Sequence, residues 1–136
     1  MDEQDNRIAS ILNAEDVPEV NDTTLKIYLQ YIKENVDPAC ELTGIEDFDW
    51  EEYYILGPGD KKEHEELRKT NPSYMDRFKM LSLYNDPDGE YGILVNLRRI
   101  SDNKKFTLPL ADLQATAKNT MSYQILDDYS VWFVNY

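Results

Sequence analysis

Cysteine and glycine are scarce in this chain of 136 residues, and long apolar runs are missing from it. Cys40 is the only cysteine, so no internal disulfide can form and we expect a reducing compartment. No apolar run approaches the roughly 18 residues that a membrane-spanning helix needs, and the N-terminal residues lack the basic and apolar parts of a secretory signal. These absences predict a cytoplasmic protein that does not cross a membrane.

Basic residues are also missing from one long segment, between Glu34 and Asp60. Residues 1–60 contain 16 acidic and 3 basic side chains, whereas residues 61–136 contain 11 of each. The net charge of −13 therefore belongs entirely to the first 60 positions. A field of this sign repels the phosphates of nucleic acids and of anionic membranes, and it attracts cations or a basic protein. We expect neither nucleic acid nor a membrane among its partners.

The apolar content indicates that this acidic chain folds. Hydrophobic residues make up 41% of it and aromatic residues 12%, which is typical of a globular domain and not of a disordered acidic tail. The length suits one domain, and no internal repeat or linker divides it. Residues 1–20 are acidic and poorly periodic. We therefore expect a variable N-terminal segment over 1–20 and a single domain over 21–136.

The residue pattern predicts one amphipathic helix followed by short strands. Asn21 and Asp22 are good caps for a helix with apolar residues at helical spacing, which Pro38 ends. A short charged helix is predicted at 61–69, and strands at 51–56, 78–84, 91–100, 105–110, 123–126 and 129–135. This order indicates an α+β fold, in which an N-terminal helix packs on a small, curled, mostly antiparallel sheet or SH3-like barrel with a short helical insertion.

Residues 41–52 carry the densest group of carboxylates in the chain. Six of the twelve residues are acidic, and burial of the interleaved Ile45, Phe48 and Trp50 would hold the acids close together. Two like charges about 4 Å apart repel by roughly 4 kcal/mol at an effective dielectric constant of about 20. A calcium ion relieves this repulsion well because it accepts about six to eight oxygen ligands in flexible geometry, whereas magnesium requires a stricter octahedron. The candidate ligands here are Glu46, Asp47, Asp49, Glu51 and Glu52.

Two smaller acidic groups are further candidates. The first is Asp86, Asp88 and Glu90, which occupy every second position of a predicted turn, and this spacing lets short side chains converge on one ion. It is not an EF-hand, because its glycine stands at the fourth position of the loop and no glutamate stands at the twelfth. The second is the pair Asp127 and Asp128, which precedes the last predicted strand. An ordinary solvated acidic surface is the alternative interpretation of all these groups. The additional candidate ligands are Asp86, Asp88, Glu90, Asp127 and Asp128.

Three stretches combine acidic residues with aromatic or other apolar residues: GIEDFDWEE at 44–52, KFTLPLADL at 105–113 and LDDYSVWFVN at 126–135. They resemble the family of acidic calcium-binding proteins typified by cyanobacterial CcbP, and the resemblance extends from Leu25 to the C-terminus. It implies a compact domain that binds Ca²⁺ through dispersed acidic residues outside an EF-hand. It also implies a cytoplasmic calcium buffer or signalling component.

No catalytic group of residues accompanies the acids. His64 is the only histidine, and we expect it to be solvated on a polar helix, with no nucleophile or orienting partner. One cysteine and one histidine also fall short of a zinc site. We therefore predict a protein that is not an enzyme. The main alternative to calcium binding is an acidic interaction domain, of the immunity or inhibitor type, that docks a basic protein partner.

Overall fold

The computed structural model describes residues 2–136, and within them it contains five α-helices, two 3₁₀ turns and five strands. The helices are α1 (Glu3–Ile11), α2 (Asp22–Asn35), α3 (Glu52–Ile55), α4 (Lys61–Leu67) and α5 (Met121–Asn135). The strands are β1 (Glu41–Gly44), β2 (Arg77–Leu83), β3 (Leu94–Arg99), β4 (Lys105–Pro109) and β5 (Leu113–Ala115). The first 3₁₀ turn is Asp49–Glu51 and the second is Leu110–Asp112.

The five strands form one antiparallel sheet in the order β4-β3-β2-β1-β5. The register between β2 and β3 shifts between Met80 and Ser82. The α+β class with an N-terminal helix is confirmed. The sheet is open, with β4 and β5 as its edges, so the barrel form of the expectation is wrong. None of the helices within residues 2–136 is both long enough and apolar enough to span a bilayer.

Helix α2 begins and ends where the sequence predicts. The side chain of Asn21 accepts a hydrogen bond from the amide of Thr24 at 2.9 Å, and the hydroxyl of Thr24 accepts one from the amide of Asn21 at 2.9 Å. This capping box satisfies two of the amides that the helix start leaves without partners. Tyr28 of α2 is fully buried and its ring stacks on that of Trp132 with a centroid distance of 5.4 Å.

The N-terminal segment contributes to the core. The side chain of Asp2 accepts a hydrogen bond from the amide of Asp5 at 2.7 Å and caps α1. Helix α1 packs against α5 and α2, and Ile8 is fully buried between these elements. The poor periodicity of residues 1–20 follows from the shortness of α1, which presents only a few apolar residues to the core.

The C-terminal strands predicted at 123–126 and 129–135 are wrong, because residues 121–135 form the single helix α5. Thr120 caps this helix by accepting a hydrogen bond from the amide of Tyr123 at 3.2 Å. Its buried apolar residues recur at helical spacing, although Val, Trp, Phe and Tyr favour strands when they are judged singly. These buried apolar residues are Ile125, Leu126, Tyr129 and Trp132.

The strand predicted at 51–56 is also wrong. This segment forms the end of the first 3₁₀ turn and the short helix α3. Tyrosine and isoleucine favour strands when they are judged singly, but the side chain that enters the interior is that of Glu51, while Tyr53 and Leu56 are exposed. Trp50 therefore lies in a turn, where its indole N–H donates to the carbonyl of Pro72 at 2.6 Å.

Candidate metal centre

An acidic cavity of about 310 Å³ lies between the loop after β1, the second 3₁₀ turn and helix α5. Six carboxylates line it, and among the described residues of its wall there is no lysine, arginine or histidine. Five of the six are predicted ligands. The six acidic residues of this cavity are Glu46, Asp47, Asp49, Glu52, Asp112 and Asp127.

Three contacts bring the walls of the acidic cavity together. The amide of Ile45 donates to the carbonyl of Asp112 at 3.0 Å, which joins the loop after β1 to the second 3₁₀ turn. The hydroxyl of Ser130 donates to the carbonyl of Ala111 at 2.8 Å, which joins α5 to the same turn. Phe48 is buried, as predicted, and fixes the loop after β1 to the core, whereas the predicted burial of Ile45 is wrong, since it is exposed, and Trp50 is only partly buried. The residues on both sides of Phe48 therefore lie across the cavity from the carboxylate on α5.

The crowding of carboxylates in the acidic cavity affects the pKa of Asp112. Partial burial and the nearby carboxylates of Asp49 and Glu46 raise the pKa of Asp112 above its usual value. A negative neighbour raises the pKa of an acid because it disfavours the charged form. The three acids come from two segments that are more than sixty residues apart, and the charges of Asp49 and Glu46 act on Asp112 across the cavity. A cation placed among them would remove this repulsion.

The donor set of the acidic cavity fits calcium. Among the described residues of the wall it consists of oxygen atoms, which calcium prefers, and includes no nitrogen or sulfur ligand of the kind that zinc selects. Within residues 2–136, no three acidic, histidine or cysteine side chains already converge in ligand positions. Glu46, Asp49 and Glu52 are exposed and have room to rotate. Ligation would require these side chains to turn inward, which suits calcium because its coordination geometry is flexible.

Glu51, a predicted ligand, does not line the acidic cavity. Its side chain is 0% exposed, and its carboxylate accepts hydrogen bonds from the hydroxyl of Ser73 at 2.6 Å and from the amides of Tyr74 at 2.9 Å and Phe48 at 3.2 Å. Nε2 of His64 lies 3.1 Å from the same carboxylate. The carboxylate of Glu51 therefore already has four partners within the protein and does not face the acidic cavity.

His64 is buried, so the expectation of a solvated histidine is wrong. Its residue exposure is 8%, and its ring stacks on that of Tyr54 with a centroid distance of 5.5 Å. Helix α4 turns this one side chain inward while its lysines and glutamates face solvent. The reason is the contact with Glu51, which offers a buried acceptor for the imidazole.

Asp128 is another predicted ligand that has protein partners. It is buried, and the guanidinium of Arg7 contacts both of its oxygens, at 2.9 and 3.0 Å. Gln4 donates to the same carboxylate at 3.0 Å. The hydrogen bond with Asp128 is the main cause of the raised pKa of Arg7. Asp127 also accepts a hydrogen bond from Gln4, at 3.4 Å, but it lines the acidic cavity, whereas Asp128 joins α5 to α1.

The turn between β2 and β3 holds the remaining predicted ligands, and none of them lines the acidic cavity. One oxygen of Asp88 accepts hydrogen bonds from the amides of Glu90 at 2.8 Å and Tyr91 at 2.9 Å, and these bonds lower its pKa. Asp86 and Glu90 are exposed. The structure thus separates this group from the carboxylates of the cavity.

Asp112 was not among the predicted ligands. It stands alone in its segment, at the end of the stretch 105–113, so no local cluster marks it. A signal was present in the position of that stretch, because an acid two residues after a predicted strand lies near the ends of the strands, where loops from other strands meet.

A family model described as calcium binding, that of the CcbP type, matches residues 58–133, which are more than half of the chain. The chain belongs to the CcbP-type family of calcium-binding proteins. The predicted family and calcium as its ion are thereby confirmed. In this member of the family the match includes Asp112 and Asp127, whereas the acidic segment 46–52 precedes it. No curated protein and no solved structure matches the chain.

Proposed function

We propose that the acidic cavity binds Ca²⁺ and that the protein serves as a cytoplasmic calcium buffer or signalling component outside the EF-hand class. The observation that carries this proposal is the acidic cavity itself, whose described wall has no cationic side chain and where burial and repulsion from two neighbouring carboxylates raise the pKa of Asp112. Glu46 and Asp49 are the sources of that repulsion. The proposed ligands are Glu46, Asp47, Asp49, Glu52, Asp112 and Asp127.

The residues of the chain would act in two ways. The carboxylates on the loop after β1 rotate towards Asp112 and Asp127, which stand on the opposite wall. The buried Phe48 holds the backbone of the loop in place, so only side chains need to move. Calcium supplies the positive charge that offsets the repulsion. Binding that reorients side chains without moving the backbone favours a buffer over a signalling switch.

Calorimetric titration with calcium, with magnesium as a control, tests the proposal. We expect the double variant Asp49→Asn/Asp112→Asn to bind calcium at least ten times more weakly than the wild type. The matched control is Asp86→Asn/Glu90→Gln, which removes two charges from the exposed turn and should leave the affinity unchanged. Wild-type affinity in the cavity variant, or loss of affinity in the control, would contradict the choice of site.

Thermal unfolding provides a second measurement. If calcium binds only the folded protein, a hundredfold excess over Kd adds about 2.7 kcal/mol to the free energy of unfolding. Amide chemical shifts recorded with and without calcium distinguish the two roles. Changes confined to the walls of the acidic cavity support a buffer, and changes that spread to α1 and α2 support a signalling component.

Docking of a basic protein is the alternative function. Two exposed apolar residues border the acidic cavity, Ile45 at 42% exposure and Val134 at 73%. Apolar residues beside unpaired acids suit a partner segment that combines lysine or arginine with a large apolar side chain. A stoichiometric basic partner that stays bound in the presence of a calcium chelator would favour this function.

A further inference from the structure

The buried carboxylate of Glu51 lies in the most acidic segment of the chain, between two residues that line the acidic cavity. Its donors come from three separate parts of the sequence: the loop after β1, helix α4 and the loop before β2. We refer to this arrangement as the Glu51 clasp. It consists of Glu51, Phe48, His64, Ser73 and Tyr74.

We propose that Glu51 is a positioning residue, which fixes the first 3₁₀ turn so that Asp49 and Glu52 face the acidic cavity. This inference rests on the proposed function. A 3₁₀ helix has three residues per turn, so residues three apart lie on the same side. Asp49 and Glu52 are three apart, and both line the cavity. Glu51 points to another side of the turn, so its burial determines the direction of the other two.

The energetics make the Glu51 clasp selective for one orientation of the turn. A carboxylate loses its hydration when it is buried, and this is costly unless hydrogen bonds replace the water. The carboxylate of Glu51 has four such contacts, at distances from 2.6 to 3.2 Å. A rotated turn would leave a buried charge without donors. The protein therefore retains the orientation that presents Asp49 and Glu52 to the cavity.

The donors of the Glu51 clasp are themselves held by the sheet. The amide of Ser73 donates to the carboxylate of Asp76 at 2.8 Å, and the guanidinium of Arg99 on β3 pairs with that carboxylate at 2.8 Å. The hydroxyl of Ser73 then contacts Glu51. This series of bonds connects a strand to the acidic loop. The position of the loop is thus set by contacts outside the acidic cavity.

A glutamine at position 51 distinguishes positioning from ligation. Its carbonyl oxygen can accept from the amides of Phe48 and Tyr74, while its NH₂ group donates to Ser73 and to Nε2 of a neutral His64. Glu51→Gln therefore removes the charge and keeps the clasp, whereas Glu51→Ala removes both. We expect calcium affinity within about threefold of the wild type for Glu51→Gln and at least tenfold weaker binding for Glu51→Ala.

Three further variants complete the calorimetric experiment. Asp49→Asn removes a proposed ligand and should weaken binding about tenfold. Leu97→Ala removes a core side chain of β3 and should lower the melting temperature without changing calcium affinity. Ser73→Ala removes one donor of the Glu51 clasp and should weaken binding about threefold, which keeps the test available if Glu51→Ala does not fold.

The outcomes separate the inference from the proposed function. A wild-type protein that binds no calcium overturns both. If the wild type binds calcium, a loss in Glu51→Gln as large as that in Asp49→Asn would show that Glu51 is a ligand, and the positioning role would be wrong. Wild-type affinity in both Glu51→Ala and Ser73→Ala would overturn the positioning role and leave the calcium site intact.

Discussion

Replacement of Arg99 by methionine should detach the helical insertion from the sheet. Arg99 is buried on β3, and its guanidinium donates to the carbonyls of Arg68 at 2.8 Å, Lys69 at 3.0 Å and Asn71 at 3.0 Å. These carbonyls lie just after α4, where a helix leaves acceptors without partners. The guanidinium of Arg99 also pairs with the carboxylate of Asp76 at 2.8 Å. One side chain thus contacts three carbonyls and one carboxylate of the loop between α4 and β2.

The size of the effect follows from these contacts. Methionine fills part of the volume but donates no hydrogen bond, so it leaves Asp76 without its main cation. Breaking a buried ion pair by removing one partner costs about 3–5 kcal/mol. Asp102, the other acidic partner of Arg99, is 35% exposed and regains water, so it adds little. At about 3–5 °C per kcal/mol for a domain of this size, the melting temperature should fall by about 10–25 °C.

Chemical and thermal unfolding of two variants on the same strand measure this effect. Arg98 precedes Arg99 on β3 and is only half-buried, with Asn103 as its side-chain partner. Arg98→Met should therefore change the free energy of unfolding by no more than about 0.5 kcal/mol. If Arg99→Met is no less stable than Arg98→Met, the guanidinium of Arg99 does not hold the helical insertion. The claim that Arg99 supports the donors of the Glu51 clasp would then be wrong as well.

Three further predictions concern titratable groups. Asp112→Asn should make the calcium-free protein more stable at pH 7, because the raised pKa of Asp112 means that folding disfavours its charge. Equal stability of the variant and the wild type in scanning calorimetry would contradict this prediction. The same variant should bind calcium about tenfold more weakly. The pKa of Asp102 is lowered to about 2 by Arg99, so its contribution to stability is present above its usual pKa and is lost as the pH falls towards about 2. Asp102→Asn should flatten the stability curve in that acid range, and an unchanged slope in urea titrations would count against the pair. Burial and Asp37 raise the pKa of the Cys40 thiol, so iodoacetamide should modify it more slowly at pH 7.5 than it modifies a free thiol, a difference that denaturation should abolish.

Elements with local signals were predictable from the sequence. Helix α2 has a capping residue at Asn21 and a stop at Pro38, and the strand β3 alternates apolar and polar residues between clear turns. Helix α5 was not predictable in this way, because its Val, Trp, Phe and Tyr residues individually favour strands. Its helical form depends on packing, since Tyr129 and Trp132 fill the space between the sheet and the other helices.

The candidate site was predictable in part. The acidic segment and the burial of Phe48 followed from the alternation of acids and apolar residues. The interior position of Glu51 did not, because Ser73 and Tyr74 are more than twenty residues away along the chain. Asp112 was missed for the same reason, since the carboxylates that raise its pKa belong to a distant segment. Contacts between distant segments decide which acids are free to bind an ion.

A crystal structure of the protein with calcium, with the ion located by its anomalous scattering, tests the central claim most directly. The account predicts an ion inside the acidic cavity, at about 2.3–2.6 Å from oxygens of at least three of its carboxylates. Asp112 or Asp127 should supply one of them from the wall opposite the acidic loop. An ion bound only at the turn between β2 and β3, with the carboxylates of the cavity merely hydrated, would contradict it.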